Sequence, residues 1–314
     1  MANDPLPSWN HVAARERIVT FVEDTVTRSV PVEDRIAVFD NDGTLWSEQP
    51  TPPQLHFVIE HWRQQAAQDS ALALEQPYKA AVEGDLAWIA DAVRKHHAGD
   101  DTDLRVIMRA ILGVTSGRSV EAYEKDIEAF YASAVHPVLG VSYRFTVYQP
   151  MIELMRFLEN NGFSCYIVSG SDRDFMRPVS TEYYGLSREN IIGSAVGLDY
   201  DPATNELRYG SEFEYFNDGP LKPARIWSRL GRRPLVAVGN SDGDLPMLQF
   251  LSTRHPTLPL LVHHDDDTGR GDVPYDHGAQ TALAEASQRD ITVVSVRADW
   301  NAVFPPRDPL ETGR

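Results

Sequence analysis

The stretch RIAVFDNDGTLW, Arg35–Trp46, places four apolar residues directly before two aspartates that are one residue apart. The apolar run, Ile36–Phe39, predicts a short buried strand. Asp40 and Asp42 then stand at the carboxyl end of that strand. Two carboxylates this close repel each other, and burial strengthens the repulsion. The sequence therefore indicates that a cation compensates the pair.

Later segments repeat this pattern of an apolar strand that ends in polar residues. One apolar run precedes Ser169 and Ser171, and another precedes the loop that holds Asn240, Asp242 and Asp244. Continuous apolar strands separated by amphipathic helices are typical of a parallel sheet covered on both faces, so we predict an α/β fold with a doubly wound parallel sheet. Ligands of such sheets bind beyond the carboxyl ends of the strands. If these strands are neighbours, their polar residues meet at one edge.

The segment 47–148 differs in character from the rest of the chain. It is rich in Ala, Glu, Gln, Leu and Trp, and its helical patterns are separated by glycines. About a hundred residues are enough for a domain of their own. We predict an all-helical domain at 47–148, inserted after the first strand, and a core formed by 1–46 and 149–314.

The composition excludes several classes of protein. The formal net charge is -17, and an acidic surface repels nucleic-acid backbones. No apolar window reaches the roughly 18 residues of a membrane span, and the N-terminus lacks a signal-peptide pattern. We therefore expect a cytoplasmic protein that binds neither nucleic acid nor a membrane. The single cysteine, Cys165, excludes an intrachain disulfide and is expected to be buried and inert.

The run HHDDD at His263–Asp267 invites a second metal site. We expect a solvated loop there instead, because charge runs usually face solvent. The preceding strand would end at the same edge of the sheet as the other strands. One of these residues could therefore reach the rim of the site, and the role of the run stays open.

The polar residues at the predicted strand ends favour one kind of metal. Asp40, Asp42, Asn240, Asp242 and Asp244 all offer oxygen ligands, without a cysteine or histidine beside them. Mg²⁺ prefers oxygen ligands, keeps several waters, and is commonly held by one or two carboxylates together with substrate phosphate. The set therefore predicts Mg²⁺ rather than Zn²⁺ as the cofactor.

Four short motifs occur in the order typical of one known family. DNDGT at 40–44 resembles the DxDxT motif of haloacid-dehalogenase-superfamily phosphatases, and VSG at 168–170 resembles their second motif. Lys222, which opens a predicted helix, resembles the third motif, and GNSDGD at 239–244 resembles the acidic fourth motif. The chain thus resembles the HAD superfamily, in its phosphoserine-phosphatase-like branch with a helical first-type cap.

The resemblance implies a role for each matching residue. Asp40 would form an aspartyl-phosphate, and Asp42 would act first as general acid and then as general base. Lys222 and Ser169 would assist catalysis by binding the phosphoryl group. The residues implied in binding phosphate or substrate are Thr44, Gly43, Ser169, Gly170 and Lys222. The residues implied in binding Mg²⁺ are Asp40, Asp42, Asn240 and Asp244, and Asp242 is a further candidate.

Two positions depart from the family's pattern. Asn240 stands where the fourth motif usually has an aspartate, so the site loses one negative charge, which Asp242 could restore. Phosphoserine phosphatases also carry an acidic residue shortly after the first motif, which holds the amino group of the substrate. Glu48 lies one position away from the expected place, so serine phosphate is not a favoured substrate.

The function predicted from the resemblance is Mg²⁺-dependent hydrolysis of a small phosphomonoester. Asp42 favours phosphate esters over carbon–halogen bonds, because only the ester needs an acid to protonate an alcohol leaving group. A cap that closes over the site favours a small phosphorylated metabolite over a phosphoprotein. The alternative is a phosphomutase or phosphotransferase that passes the phosphoryl group to another acceptor. A phosphoacceptor signalling module would lack both Asp42 and the inserted domain.

Overall fold

The structure, a computed structural model, describes residues 4–97, 100 and 102–306. Contacts divide the chain into two compact units. Unit 1 comprises Met1–Pro50, Tyr131–Ser194 and Phe216–Arg314, whereas unit 2 comprises Thr51–Phe130 and Ala195–Tyr215. No helix within the described ranges is long and apolar enough to cross a membrane.

The strands of the described residues form a sheet in the order β4-β3-β2-β1-β5-β6-β7. Their bounds are β1 Ile36–Phe39, β2 Ser164–Asp172, β3 Ile191–Asp201, β4 Glu206–Tyr215, β5 Val236–Gly239, β6 Leu258–His263 and β7 Thr292–Ser295. Every neighbouring pair is parallel except β3 and β4, which are antiparallel. The predicted α/β fold with a parallel sheet is confirmed. β3 begins in unit 1 and continues into unit 2, where it pairs with β4.

The helices alternate with these strands along unit 1 and dominate the first segment of unit 2. Their bounds are α1 Ala13–Thr27, α2 Pro53–Gln68, α3 Tyr78–Glu83, α4 Leu86–His97, α5 Thr102–Thr115, α6 Val120–Ser133, α7 Gln149–Asn160, α8 Arg173–Met176, α9 Ser180–Tyr184, α10 Leu221–Leu230, α11 Leu245–Gln249, α12 Gln280–Glu285 and α13 Val296–Asp299. Pro178 interrupts the helical segment that follows β2, because proline lacks a backbone donor. The chain there forms α8, a short 3-10 turn and α9.

The central position of β1 explains where the polar residues go. All four of its residues are buried, and β2 and β5 flank it in parallel. The Asp40 amide donates a hydrogen bond of 2.8 Å to the Val238 carbonyl, which extends the ladder one residue beyond β1. The carboxyl ends of β2, β1 and β5 therefore lie side by side. The expectation that their polar residues meet at one edge is correct.

Unit 2 differs from the predicted domain at 47–148 in two ways. Residues 131–148 belong to unit 1, where the Ser47 amide donates to the Thr146 carbonyl at 2.9 Å. The β3–β4 hairpin joins unit 2, so this unit is not all-helical. The hairpin residue Tyr209 exchanges backbone hydrogen bonds with Gly117 and Arg118, at 2.8 and 2.9 Å. These bonds link segments about ninety residues apart, which a local sequence pattern does not reveal.

We expect Val38→Ala to lower the free energy of unfolding by about 2 kcal/mol, because it removes buried methyl groups and leaves a cavity in the core. Val38 is fully buried, with a relative exposure of 0%, and packs in the core of unit 1. Val138→Ala is the matched control, since Val138 is 62% exposed. Chemical denaturation of both variants measures the difference. An equal effect of the two substitutions would contradict the central placement of β1.

Candidate active site

A buried lysine connects two of the predicted site residues. The Lys222 ammonium donates hydrogen bonds to Asp40 Oδ1 at 2.7 Å and to Asp244 Oδ1 at 2.6 Å. Lys222 is the second residue of α10 and is only 2% exposed. Asp40 follows β1, and Asp244 lies in the loop after β5. The third motif is thus bonded to both the first and the fourth.

The charges of Lys222, Asp40 and Asp244 shift the pKa values of Asp40 and Lys222. Burial raises the pKa of Asp40 well above its usual value, and repulsion from Asp244 raises it further, whereas the Lys222 ammonium lowers it. Burial alone would lower the pKa of Lys222, but the carboxylates of Asp244 and Asp40 raise it overall. Lys222 is therefore a fixed positive charge. One ammonium between two buried carboxylates leaves an excess of negative charge, which a further cation would relieve.

Asp42 is held by donors from two sides. Its Oδ1 accepts from Trp46 Nε1 at 2.8 Å, and its Oδ2 accepts from Ser171 Oγ at 2.6 Å. Burial raises the pKa of Asp42, and the hydrogen bonds from Ser171 and Trp46 partly offset that rise. The carboxyl group is therefore fixed in position and shifted toward its protonated form. Sequence reasoning missed Trp46 and assigned no site role to Ser171.

Gly43 permits the loop that follows β1 to approach the fourth motif. Its φ is +71°, and a Cβ added there would lie 2.1 Å from Asn240 Nδ2. Any larger residue would strain the backbone and collide with the amide. The next residue, Thr44, donates from Oγ1 to Asn240 Oδ1 at 3.0 Å. Both residues, predicted to bind phosphate or substrate, therefore also join two loops.

Ser169 and Gly170 lie near the carboxyl end of β2, beside β1. Ser169 is fully buried, and its Oγ accepts a hydrogen bond from the Ser171 amide at 3.0 Å. The Gly170 carbonyl accepts from Ser194 Oγ at 2.6 Å. Ser169 thus shapes the turn that presents Ser171 to Asp42. A hydrogen bond with the Ser169 side chain also lowers the pKa of Asp42.

The two aspartates predicted as ligands on the loop after β5 bond to different parts of the protein. Asp244 Oδ2 accepts from the amides of Asn240 and Ser241, both at 3.0 Å, and from Ser241 Oγ at 2.9 Å. Asp242 instead accepts from the Ala282 amide at 2.7 Å at the start of α12. The structure therefore brings Asp244 to Lys222 but directs the carboxylate of Asp242 to another helix.

A second polar group, to which the sequence analysis assigned no definite role, lies against the loop that follows β1. Glu48 is half-buried, and its Oε1 accepts from Asn240 Nδ2 at 3.0 Å and from the Tyr275 hydroxyl. The Tyr275 ring stacks on His264, with ring centres 4.6 Å apart and planes at 9°. His264 Nε2 lies 2.7 Å from the Gly43 carbonyl.

The solvated-loop reading of His263–Asp267 is wrong for His264 and Asp266, which are both buried. His264 Nδ1 lies 2.8 Å from Asp272 Oδ2, so both ring nitrogens face acceptors and both must donate. Burial alone would lower the pKa of His264, but Asp272 and the Gly43 carbonyl raise it overall. The available signal was the position of His264 directly after β6, the neighbour of β5.

The oxygen atoms at these strand ends suit Mg²⁺. Within the described ranges, no three His, Cys, Asp or Glu side chains form a ready cluster for a metal. Mg²⁺ does not require one, because it keeps waters and binds through one or two carboxylates plus substrate phosphate. The excess negative charge around Asp40 and the all-oxygen donor set therefore fit this ion.

We expect Lys222→Met to lower the free energy of unfolding by about 3–5 kcal/mol, because it leaves buried carboxylates without their cation. The variant also loses a group that lowers the pKa of Asp40, so the folded-state pKa of Asp40, already raised in wild type, rises further. The stability of the variant then falls more steeply than that of wild type as pH rises, so the deficit against wild type should be smaller at about pH 5.5 than at about pH 7.5. Denaturation at both pH values measures this.

Lys125→Met is the control for the Lys222 substitution, because Lys125 is exposed on α6. It should change stability little at either pH value. A Lys222→Met deficit that is the same at both values would contradict the buried charge imbalance.

Comparisons with known proteins show to which family the chain belongs. A family model described as haloacid dehalogenase-like hydrolase matches residues 37–249. No curated protein matches the chain. Similar solved structures include a protein of unknown function from Bordetella pertussis Tohama I, with 17% identity, 83% of this chain and 97% of that chain covered, and a TM-score of 0.55.

A conserved functionally unknown protein from Anaerococcus prevotii DSM 20548 is also similar, with 14% identity, 93% of this chain and 94% of that chain covered, and a TM-score of 0.57. At these identities the likeness shows the fold alone. The family model, in contrast, covers well over half of the sequence and contains all four predicted motifs. The chain therefore belongs to the haloacid dehalogenase-like hydrolase family.

Proposed function

We propose that this hydrolase is a Mg²⁺-dependent phosphatase that cleaves a small phosphomonoester through an aspartyl-phosphate on Asp40. The observation that carries the proposal is the bonding of Lys222 to Asp40 at the strand end that also presents Asp42. A carboxylate can attack an anionic phosphoryl group only where positive charge offsets the repulsion. Lys222 supplies one such charge.

In the first step, an oxygen of Asp40 attacks phosphorus as the bond from phosphorus to the ester oxygen breaks. Asp42 donates its proton to that leaving oxygen, so that an alcohol departs. The raised pKa of Asp42 favours the protonated form that this step requires. Lys222, beside Asp40, stabilises the negative charge on the phosphoryl oxygens in the transition state.

In the second step, the Asp42 carboxylate accepts a proton from a water molecule that attacks the aspartyl-phosphate. The bond from phosphorus to the Asp40 oxygen breaks, which releases inorganic phosphate and restores the carboxylate. The hydrogen bonds from Trp46 and Ser171 hold Asp42 in one place through both steps. The same group can therefore serve as acid and then as base.

When bound, Mg²⁺ would supply positive charge that offsets repulsion between Asp40 and the phosphate. We propose Asp40 and the backbone carbonyl of Asp42 as its ligands, with Asn240 and Asp244 as the ligands that the resemblance implies on the loop after β5. Thr44, Gly43, Ser169, Gly170 and Lys222 are the proposed residues for binding phosphate or substrate. Asp242 is a weaker candidate, because its carboxylate bonds the start of α12.

The proposed substrate is a small phosphorylated metabolite. This proposal rests on the domain inserted between the first and second motifs, which we propose is a cap like that of the resembling phosphatases. The phosphoserine-phosphatase-like branch and the cytoplasmic location stay predictions. A phosphomutase or phosphotransferase would use the same Asp40 chemistry, and the identity of the product separates these functions from hydrolysis.

We expect the wild-type protein to release inorganic phosphate from an aryl phosphate with Mg²⁺ and to lose this activity with a chelator. Asp40→Asn should abolish turnover, because the amide is not a nucleophile. Asp42→Asn should lower kcat by about 10²–10⁴-fold, the usual contribution of a general acid and base. With the good leaving group of an aryl phosphate, Asp42→Asn should also accumulate the aspartyl-phosphate, which mass spectrometry of acid-quenched protein detects.

Asp267→Asn is the control, because the Asp267 side chain is 65% exposed. It should leave kcat unchanged. Full turnover by Asp40→Asn would disprove the nucleophile. An isomerised ester in place of free phosphate would support the mutase, and transfer to an added alcohol would support the phosphotransferase.

A further inference from the structure

The two aspartates predicted as metal ligands on the loop after β5 accept hydrogen bonds from other groups of the protein. Asp244 accepts from Lys222 through one oxygen and from Asn240 and Ser241 through the other. Asp242 accepts from backbone amides at the start of α12. Asn240, at the position where the family usually has an aspartate, carries no charge. Both carboxylates of this loop are therefore hydrogen-bonded by the protein, and the loop carries one negative charge fewer than the family's pattern.

Glu48 places a carboxylate against the neutral residue. Its Oε1 lies 3.0 Å from Asn240 Nδ2. A Cβ added to Gly43 would lie 2.6 Å from the same Oε1, so the carboxylate also touches the loop that follows Asp42. We propose that Glu48 replaces the missing aspartate and supplies its anionic oxygen for the Mg²⁺ of the proposed function. The inference rests on that function.

The surroundings of Glu48 fix one of its oxygens, whereas its other oxygen, Oε2, has no donor within the described residues. Tyr275 donates its hydroxyl to Oε1, and Asn240 donates to the same atom. A carboxylate held through one oxygen can bind a cation with the other, which is a common arrangement for metal-binding carboxylates.

The residues at 48 and 240 form a matched pair. Asn240 accepts from Thr44 through Oδ1 and donates to Glu48 through Nδ2. An aspartate at 240 would place a second carboxylate 3.0 Å from Glu48 and would repel it. The pair thus needs one amide and one carboxylate, and the order of the two can be exchanged.

Exchanging the amide and the carboxylate between positions 48 and 240 tests the proposal. Mn²⁺ is the probe, as a divalent stand-in for Mg²⁺ that also prefers oxygen ligands. Its free concentration is measured by electron paramagnetic resonance during titration of the full chain, without substrate. We expect Glu48→Gln to weaken Mn²⁺ binding by about 10–100-fold. Adding Asn240→Asp to this variant should restore the affinity to within about threefold, because the carboxylate then stands at 240.

Two controls test other causes of a loss. Glu33→Gln removes the same charge at an exposed residue of unit 1 and should leave the affinity unchanged. The unfolding midpoint of each metal-free variant is also measured, because a purely structural Glu48 would change stability without restoration of Mn²⁺ binding by Asn240→Asp. Wild-type affinity in Glu48→Gln, or failure of the double variant to recover, overturns the proposal.

The outcome also separates this inference from the proposed function. If wild type binds no Mn²⁺ and shows no Mg²⁺-dependent phosphate release, the proposed function fails first. If wild type binds Mn²⁺ and Glu48→Gln binds it equally well, only the role of Glu48 is wrong. A raised KM of that variant for amine-bearing phosphates alone would assign Glu48 to the substrate's ammonium group instead.

Discussion

The buried ammonium of Lys222 is the interaction on which the site depends. It bonds Asp40 and Asp244 at 2.7 and 2.6 Å, and these aspartates follow the carboxyl ends of the neighbouring parallel strands β1 and β5. Neither carboxylate could be buried at low cost without it. The charge that binds the loops in the free protein is also the charge that a phosphoryl group needs. Structural cohesion and the proposed chemistry therefore use the same atom, Nζ.

The loop after β1 is restrained by neighbours as well as by its own turn. Thr44 bonds Asn240, and the Gly43 carbonyl accepts from His264. His264 is fixed in turn by Asp272, which also accepts from the Tyr148 hydroxyl at 2.9 Å. Each polar group of this network, from Thr44 to Tyr148, has a partner, so the network is rigid rather than costly. Such support restrains the loop that carries Asp40 and Asp42, as the proposed phosphoryl transfer would require.

Sequence reasoning predicted the parts of the fold that local patterns encode. The apolar run at Ile36–Phe39, the parallel sheet and the convergence of three strand ends follow from residue order and hydrophobicity alone. The β3–β4 hairpin of unit 2 and the bounds of that unit did not follow, because they depend on pairing across distant segments. Predicted elements are thus most secure where burial, rather than tertiary pairing, determines them.

The same distinction applies to the residues of the candidate site. Asp40, Asp42 and Lys222 were found because short motifs contain them, although their roles stay proposals. Glu48, Tyr275 and His264 were not assigned to the site, because the bonds that bring them there join residues about two hundred positions apart. Two signals were available. Glu48 lies shortly after the first motif, and His264 directly follows a parallel strand, although a polar run usually indicates solvent.

The asparagine at 240 shows why a motif should be read together with its neighbours. A neutral residue in an acidic motif suggests a weakened site when the loop is considered alone. In three dimensions its amide faces the Glu48 carboxylate, and that contact is favourable only because residue 240 is uncharged. The local count of carboxylates is therefore kept while their positions change. Because a cation responds to total charge and oxygen geometry, a substitution that looks like a loss in one motif can be compensated by a residue outside all four.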